Sequence, residues 1–300
     1  MSDSRLSKPS LFCFGLGYSA LALARVLQGE GWRIAGTCRS EARREELAEL
    51  GIEAWLFDRE RPLGDPAAAL AGSTHLLSSV PPDAAGDPVI DLCGPAIAEM
   101  AKRPGRGLAW AGYLSTTGVY GDRQGGWVDE ESALTPSGER GRRRLEAERA
   151  WLGLSGLPIH IFRLAGIYGP GRSALDSLRS GRAQRIDKPG QVFSRIHVED
   201  IAQTLRASMA RPNPGTAYNL CDDDPAAPAD VIAYAATLLG LAPPALVPFA
   251  KAKLSEMGRR FYDDNKRVRN DRIKRELGVR LAFPDYRAGL AAILEAEKKL

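Results

Sequence analysis

Six residues near the start of the chain have the types and spacing of a phosphate-binding turn. An apolar run, Leu11 to Phe14, is followed by Gly15, Leu16, Gly17, Tyr18, Ser19 and Ala20, and then by apolar residues at helical spacing. The change of period indicates a strand, a tight turn and a helix start. In such a turn the first glycine permits the bend, the second lets the backbone approach a pyrophosphate, and the helix N-terminus holds the phosphates. We therefore predict dinucleotide binding by 15–20; the alternative is a glycine-rich turn without a ligand.

The residues after the second predicted strand, 32–37, indicate which dinucleotide is bound. Arg39 and Ser40 follow this strand, and no carboxylate appears before Glu41. At this place in a dinucleotide fold a carboxylate binds the ribose 2′-hydroxyl, whereas an arginine accommodates a 2′-phosphate. NADP is therefore predicted, with NAD as the other possibility. Arg39 could instead be a solvated arginine, and Arg43 and Arg44 could either assist the phosphate or be exposed helix residues.

Three further strand ends carry candidate cofactor contacts. Asp58 ends the third predicted strand, where an acid either contacts the adenine side or caps a turn. Ligands collect at the carboxyl ends of parallel strands. We therefore assign Ser78, Ser79 and Val80 at the fourth strand end, and Ser115 at the fifth, to the cofactor cleft. The alternative for the hydroxyl groups is that they cap backbone groups.

The elements that position these residues alternate regularly along the first half of the chain. Strand patterns alternate with helix patterns, and this order predicts an α/β fold with a Rossmann-type, doubly wound parallel sheet. After 172 the alternation weakens. We predict a dinucleotide-binding domain at 1–165 and a smaller C-terminal substrate lobe at 166–300, with segments near 191–222 crossing back to the first domain. The predicted strands are 11–14, 32–37, 52–57, 75–80, 108–115, 159–164, 192–198 and 217–220.

Composition excludes several classes of protein. The net charge of +4 comes from 41 basic and 37 acidic residues, which is too mild to indicate nucleic-acid binding. Four dispersed cysteines without a C-x-x-C pair, and three histidines away from them, predict reduced thiols and no metal site. The first ten residues lack an apolar signal-peptide core, and no run has the length of a membrane span. We expect a cytoplasmic protein without membrane partners, either a monomer or a homodimer.

Six motifs in order resemble the extended short-chain dehydrogenase/reductase superfamily, also called the NAD-dependent epimerase/dehydratase family. The resemblance covers nearly the whole chain and implies a Rossmann domain with a smaller substrate lobe. It also implies redox chemistry at a hydroxyl or carbonyl, with a Ser or Thr after the fifth strand and a Tyr-x-x-x-Lys pair on the next helix. Counting back from Val119, Thr116 matches the Ser/Thr position. The motifs are GLGYSA, STTGVYG, RLAGIYGPG, RIHVEDIA, AYNLCDD and RELGVRLAFPDYRAGL.

The sequence departs from this family at the tyrosine and the lysine. Gly141 and the pair Ala147 and Glu148 set the register, which places Arg140 at the tyrosine and Arg144 at the lysine. Arg144 keeps the positive charge and could hold the cofactor ribose. An arginine remains protonated near neutral pH and cannot exchange a proton as tyrosine does. Thr116, Arg140 and Arg144 are thus the candidate catalytic residues of a non-standard site.

Three interpretations of the site remain open. Tyr113, Tyr120 or Tyr168 could replace the missing acid, or Arg140, Arg144 and Arg172 could form a cationic pocket for an anionic small molecule. The third possibility is a non-catalytic protein that binds NADP(H) and reports the redox state to a partner. The predicted function is an NADP-preferring oxidoreductase or epimerase-like enzyme on an unknown small-molecule substrate. The predicted substrate contacts are Tyr120, Arg163, Tyr168 and Arg172.

Overall fold

The structure is a computed structural model that describes residues 8–103 and 107–299. Its centre is a seven-stranded sheet with the strand order β11-β7-β5-β4-β1-β2-β3. The pairs β1 with β2, β1 with β4, β2 with β3 and β4 with β5 are parallel. The strands are β1 Ser10–Phe14, β2 Arg33–Cys38, β3 Glu53–Leu56, β4 His75–Ser78, β5 Trp110–Thr116, β6 Trp127–Val128, β7 Ile159–Leu164, β8 Gly166–Tyr168, β9 Arg185–Asp187, β10 Arg195–His197, β11 Ala217–Leu220, β12 Leu246–Pro248 and β13 Arg267–Val268.

Helices follow most strands of the sheet, as the alternating pattern predicts. The α-helices are α1 Tyr18–Gly29, α2 Glu41–Glu49, α3 Pro66–Ala69, α4 Pro88–Ala101, α5 Glu139–Leu152, α6 Ala174–Arg179, α7 Val198–Ala210, α8 Pro228–Leu238, α9 Glu256–Arg260, α10 Asp271–Leu277 and α11 Tyr286–Glu297. Short 3₁₀ turns lie at Thr117–Tyr120 and Phe249–Lys251. The α/β fold with a doubly wound parallel sheet is therefore confirmed.

Close contact between β1 and β2 fixes the geometry at the start of the chain. Ser10 pairs with Arg33 and Cys13 with Gly36 in parallel register. A Cβ added to Gly36 would lie 2.2 Å from the carbonyl oxygen of Cys13, so only glycine fits at this position. On one face of the sheet, Phe12 and Trp151 are fully buried in an apolar cluster.

The differences from the predicted elements occur at short segments. Strand β4 ends at Ser78, before Pro81 and Pro82, whereas the sequence predicts a strand up to Val80. The segment between the predicted strands 108–115 and 159–164 contains the two-residue strand β6, which pairs with β13. Strands of two or three residues are too short to show a period of two in the sequence.

The chain divides into two compact units that interleave along the sequence. Over the described residues, unit 1 covers Met1–Ser115, Arg143–Phe162 and Leu205–Ala217. Unit 2 covers Thr116–Arg142, Arg163–Thr204 and Tyr218–Leu300. The sequence predicts a change of domain at 165, with 191–222 crossing back. The domain boundary at 165 stays a prediction. The compact units are a different division of the chain, and their limits are those given above.

Within the described ranges, no helix has both the length and the apolar character needed to cross a membrane.

Candidate functional site

The predicted phosphate turn lies between β1 and α1 of unit 1. Gly15 has a φ of +82°, a conformation that favours glycine. Gly17 is the N-cap of α1, so the N-cap residue has no side chain with which to cap the helix, and the first turn has no acidic residue. A Cβ added to Gly17 would meet no neighbouring atom of the described residues within 4 Å. The turn thus has open space at Gly17, as the backbone approach of a phosphate requires.

The turn is held from both sides by neighbouring strands. The backbone nitrogen of Gly15 donates to Thr37 Oγ1 at 2.9 Å, and the nitrogen of Leu16 donates to the carbonyl of Thr37 at 2.8 Å. On the β4 side, Ser79 Oγ donates to the Gly15 carbonyl. A Cβ at Gly15 would lie 3.2 Å from Val80 Cγ2. The structure therefore brings Ser79 and Val80 to the turn, and their contact with a cofactor stays a prediction.

Ser78 lies within the sheet rather than at its surface. It pairs with Phe14 of β1 and Tyr113 of β5, and its side chain is fully buried. Ser78 Oγ has no hydrogen-bond partner among the described residues. A buried hydroxyl without a partner is uncommon, and a bound polar group is one of the usual reasons for it.

The end of β2 is strongly basic. Arg39 is exposed, and its guanidinium has no hydrogen-bond or ion-pair partner in the described part of the chain. The Ser40 hydroxyl accepts a hydrogen bond from the backbone nitrogen of Arg43 and caps α2. Arg43 Nη2 donates to the Leu16 carbonyl at 3.2 Å, which joins α2 to the phosphate turn. Among the described basic residues 39–44, Arg39 is thus available to an anion without breaking a contact, whereas Arg43 and Arg44 are each paired with an acid.

Asp58 is already bonded within its own turn. Its carboxylate accepts hydrogen bonds from the backbone nitrogens of Glu60 and Arg61 and from Nε and Nη2 of Arg61. The hydrogen bond from the Arg61 side chain lowers the pKa of this exposed carboxyl. Of the two roles considered for Asp58, the geometry shows the turn cap, and its contact with adenine stays a prediction. Sequence reasoning missed Arg61; its only signal is an arginine three residues after a strand-end acid.

Arg144 lies against the end of β5 in unit 1. It donates to the Tyr113 hydroxyl at 3.2 Å and to the Leu114 carbonyl. Burial raises the pKa of Tyr113, whose ring stacks on Trp151 at a centroid distance of 5.8 Å. Ser115 is buried, and its hydroxyl donates to the buried carboxylate of Glu148. The structure thus brings the predicted residues Arg144 and Ser115 to the same strand end, each with a protein partner.

Thr116 and Arg140 belong to unit 2. Thr116 is half-buried, and its Oγ1 accepts a hydrogen bond from the Gly118 nitrogen at 3.1 Å, which caps the following 3₁₀ turn. Arg140 is exposed in the first turn of α5. Next to it, Gly141 packs tightly, because an added Cβ would lie 2.7 Å from the Gly118 carbonyl oxygen. This contact holds the start of α5 against the turn that follows Thr116.

Tyr120 and Arg163 form a buried polar cluster with Asn219 in unit 2. The Tyr120 hydroxyl donates to Asn219 Oδ1 at 2.7 Å and accepts from Arg163 Nη1 at 3.0 Å. Burial raises the pKa of Tyr120 to about 12, although Arg163 opposes the shift. The carboxylate of Glu130 accepts from the Asn219 nitrogen at 2.8 Å. The substrate contacts predicted for Tyr120 and Arg163 stay predictions; the structure shows both side chains buried and bonded to protein.

The other two predicted substrate residues differ in exposure. Tyr168 is buried, donates to the Asp285 carbonyl at 3.3 Å, and has its pKa raised by burial. Its ring packs edge-on against His197 with centroids 5.1 Å apart. Arg172 is exposed, and its backbone bridges to Gly169. Of these two residues, only Arg172 presents its side chain to solvent.

A buried acid in unit 2 was missed in the sequence. Asp222 is 1% exposed, and neither carboxyl oxygen has a hydrogen-bond partner among the described residues. Burial raises its pKa to about 8, while the Arg195 guanidinium opposes the shift. Burial also lowers the pKa of His197 to about 4, so its imidazole is neutral at pH 7. The sequence does not indicate which of the three consecutive aspartates at 222–224 is buried.

No group of histidine, cysteine and acidic side chains within 8–103 and 107–299 has the arrangement of a metal site. The four cysteines are buried and free.

Comparison with known proteins finds relatives that match most of the chain. Protein YeeZ of Escherichia coli K12 is 31% identical over 284 residues, which cover 90% of this chain and 95% of YeeZ. A structure of a functionally unknown conserved protein from Silicibacter pomeroyi is 54% identical, with a TM-score of 0.89 over 96% of this chain and 99% of the other. No protein-family model matches the sequence.

Structural neighbours include NAD-dependent epimerases and dehydratases. A Methylobacillus flagellatus protein named as a candidate NAD-dependent epimerase/dehydratase is 25% identical, with a TM-score of 0.72 over 97% of this chain and 99% of the other. The human epimerase family protein SDR39U1, crystallised with NADPH, is 18% identical with a TM-score of 0.71 over 96% of this chain and 99% of the other; it shows the fold alone. With the fold of the NAD-dependent epimerases and dehydratases, the chain belongs to the family of Protein YeeZ.

Proposed function

We propose that this chain binds NADP(H) in unit 1 and acts as an oxidoreductase or epimerase-like enzyme on a small molecule. The observation that carries the proposal is the turn before α1, where Gly17 is the N-cap and has open space on the side of its missing Cβ among the described residues. The buried Ser78 hydroxyl without a partner is a second feature that a bound cofactor would explain. Gly15, Leu16, Gly17, Tyr18, Ser19 and Ala20 would hold the pyrophosphate, with Ser79 and Val80 beside them.

The preference for NADP rests on charge. A 2′-phosphate carries close to two negative charges, and Arg39 is exposed and unpaired among the described residues. Asp58, an acid after β3 that could otherwise bind a ribose hydroxyl, is bonded to four donors in its own turn. These observations together favour NADP over NAD.

Replacing Arg39 with alanine is expected to remove this preference. The variant loses a charge-assisted contact with the 2′-phosphate, so the Kd for NADP rises by about 10- to 100-fold. The Kd for NAD changes less than about twofold, because NAD lacks the 2′-phosphate. Isothermal titration of both cofactors measures the ratio. An equal loss for the two cofactors would rule out contact between Arg39 and the 2′-phosphate.

The substrate is proposed to be a small molecule with an anionic group. Arg140 and Arg172 of unit 2 both present their side chains to solvent, and guanidinium groups favour carboxylate and phosphate. Bound NADPH would supply the hydride. Thr116 would orient the substrate oxygen, as the Ser/Thr position does in the family that the sequence resembles, and Arg144 would hold the cofactor ribose.

Thr116→Ala tests the catalytic part of the proposal. If the Thr116 hydroxyl orients the substrate, NADPH consumption with a panel of carboxylated and phosphorylated carbonyl compounds falls on the order of 100-fold, while cofactor binding is retained. The decrease in NADPH absorbance at its long-wavelength maximum measures the rate of consumption by the wild type and by the variant. A wild-type protein that binds NADPH tightly but oxidises it with none of the panel contradicts the enzymatic proposal.

That outcome would support a second function, a redox reporter. The observation favouring it is that Tyr113, Tyr120 and Tyr168 are all buried and hydrogen-bonded, so none is exposed to exchange a proton with a substrate. A reporter must bind NADP and NADPH with different affinities, because a ligand shifts an equilibrium only through differential affinity. Titration with the two forms separates the functions.

A further inference from the structure

We infer that Arg61 is a second specificity-determining residue for NADP, acting beside Arg39 on the 2′-phosphate. This inference rests on the proposed function, because it assigns a further contact to the same cofactor. It starts from the hydrogen bond that links the turn after β3 to the end of β2. Arg61 Nη2 donates to the carbonyl oxygen of Arg39 at 2.6 Å. The Arg61 guanidinium is therefore next to the backbone that carries the phosphate-binding candidate.

The guanidinium of Arg61 is fixed in orientation. Its Nε and Nη2 donate to the same carboxylate oxygen of Asp58, at 3.1 and 2.7 Å. Together with the bond to the Arg39 carbonyl, these contacts occupy the Nε and Nη2 donors. An arginine that is already ordered loses less conformational entropy when it binds a ligand.

The Nη1 nitrogen of Arg61 remains available. Nη1 of Arg61 makes no hydrogen bond to any acceptor in the described part of the chain, and the side chain is 49% exposed. Arg43 and Arg44 are less available: Arg43 binds Glu46 and the Leu16 carbonyl, and Arg44 is paired with Glu41. Arg61 is thus the guanidinium nearest to Arg39 by direct contact that still has an unused pair of N–H donors.

Charge balance calls for a second cation. A phosphate monoester carries about 1.5 to 2 negative charges near neutral pH, and Arg39 supplies one positive charge. The carboxylate of Asp58 would repel a phosphate if it were uncovered. It accepts four hydrogen bonds, two of them from the side chain of Arg61, so the Arg61 side chain both attracts the phosphate and covers the acid.

Isothermal titration of the full-length protein with 2′,5′-ADP and 5′-AMP tests the inference, because these fragments differ only by the 2′-phosphate. Arg61→Ala is expected to weaken 2′,5′-ADP and NADP by about tenfold and to change 5′-AMP and NAD by less than about twofold. Arg44→Ala is the matched control: its side chain is also 49% exposed and also paired with an acid three residues earlier. It lacks the bond to the Arg39 carbonyl, and we expect it to leave all four ligands unchanged.

Two further variants test whether Arg61 contacts the 2′-phosphate directly. Arg61→Lys retains the charge and loses the fork, and we expect an intermediate affinity for 2′,5′-ADP. The double variant with Asp58→Asn and Arg61→Ala has no uncovered carboxylate at position 58. If its affinity for 2′,5′-ADP is still reduced, the loss comes from the missing attraction between Arg61 and the 2′-phosphate. Full recovery in the double variant would overturn the direct contact, as would an unchanged NADP-to-NAD ratio in Arg61→Ala. If instead the wild type binds NADP and NAD equally, the proposed cofactor preference fails, and the inference fails with it.

Discussion

Gly17→Val is expected to abolish dinucleotide binding and to leave the fold intact. In its present conformation, φ −85° and ψ −163°, residue 17 lies in the extended region that valine readily adopts. A Cβ there meets no atom of the described neighbouring residues within 4 Å, so this part of the fold has room for it. A pyrophosphate at the N-terminus of α1 needs that same space. We expect affinity for NADP and NAD to fall on the order of 100-fold or more, while the melting temperature changes little.

Fluorescence titration with NADPH and thermal melting followed by circular dichroism measure the two quantities. Gly36→Ala is the contrasting variant, because its Cβ would lie 2.2 Å from the Cys13 carbonyl oxygen and the two strands must separate. We expect this variant to lower the melting temperature clearly. If Gly17→Val binds NADPH as the wild type does, the phosphates are bound elsewhere and the assignment of the turn is wrong.

Asp222→Asn is expected to change the pH dependence of stability. The pKa of Asp222 is raised by burial from 3.8 to about 8, so the folded chain holds a proton that the unfolded chain releases. Between about pH 4 and pH 8 this group therefore makes the folded state less stable as the pH rises. The contribution amounts to up to about 1.4 kcal/mol in the free energy of unfolding for each pH unit. An uncharged amide at 222 removes this dependence.

Urea denaturation of both proteins at pH 5, 6, 7 and 8 measures the effect. The free energy of unfolding of Asp222→Asn minus that of the wild type should increase steadily with pH. The difference is the useful quantity, because His75 and His197, whose pKa values are lowered by burial to about 4, act in the opposite direction in both proteins. Asp223→Asn, which removes an exposed ion pair with Lys274, should give a nearly flat difference. Parallel curves for Asp222→Asn and wild type would contradict the protonated state of this acid.

The fold was predictable because its central sheet has strong local signals. Strand, glycine turn and helix follow one another at 11–27, and each later strand is bounded by Gly, Pro or charged residues. The sequence placed Gly15 and Gly17 correctly for a physical reason: a positive φ and a free backbone approach are properties of glycine itself.

The candidate site was less predictable, because its contacts join residues that are far apart. Tyr120 and Asn219 are separated by 99 positions, and nothing at either position indicates the other. The sequence also leaves the burial and ion pairs of individual residues undecided where several residues of one type are adjacent. Of the aspartates at 222–224, the second is exposed and pairs with Lys274, and the third pairs with Arg287, which leaves the first buried. Burial depends on the path of the backbone, which composition does not reveal.

The interleaving of the two compact units restricts how this chain can be recombined. Unit 1 is built from three separate stretches, and the pieces 143–162 and 205–217 return to it after intervening stretches of unit 2. A chimera made with a homologue through a single crossover would therefore contain, within each unit, stretches from both parents. Crossovers near 115, 142, 162, 204 and 217 would be needed to exchange one unit whole. Gene shuffling within the family should accordingly yield functional hybrids mainly when these breakpoints are used together.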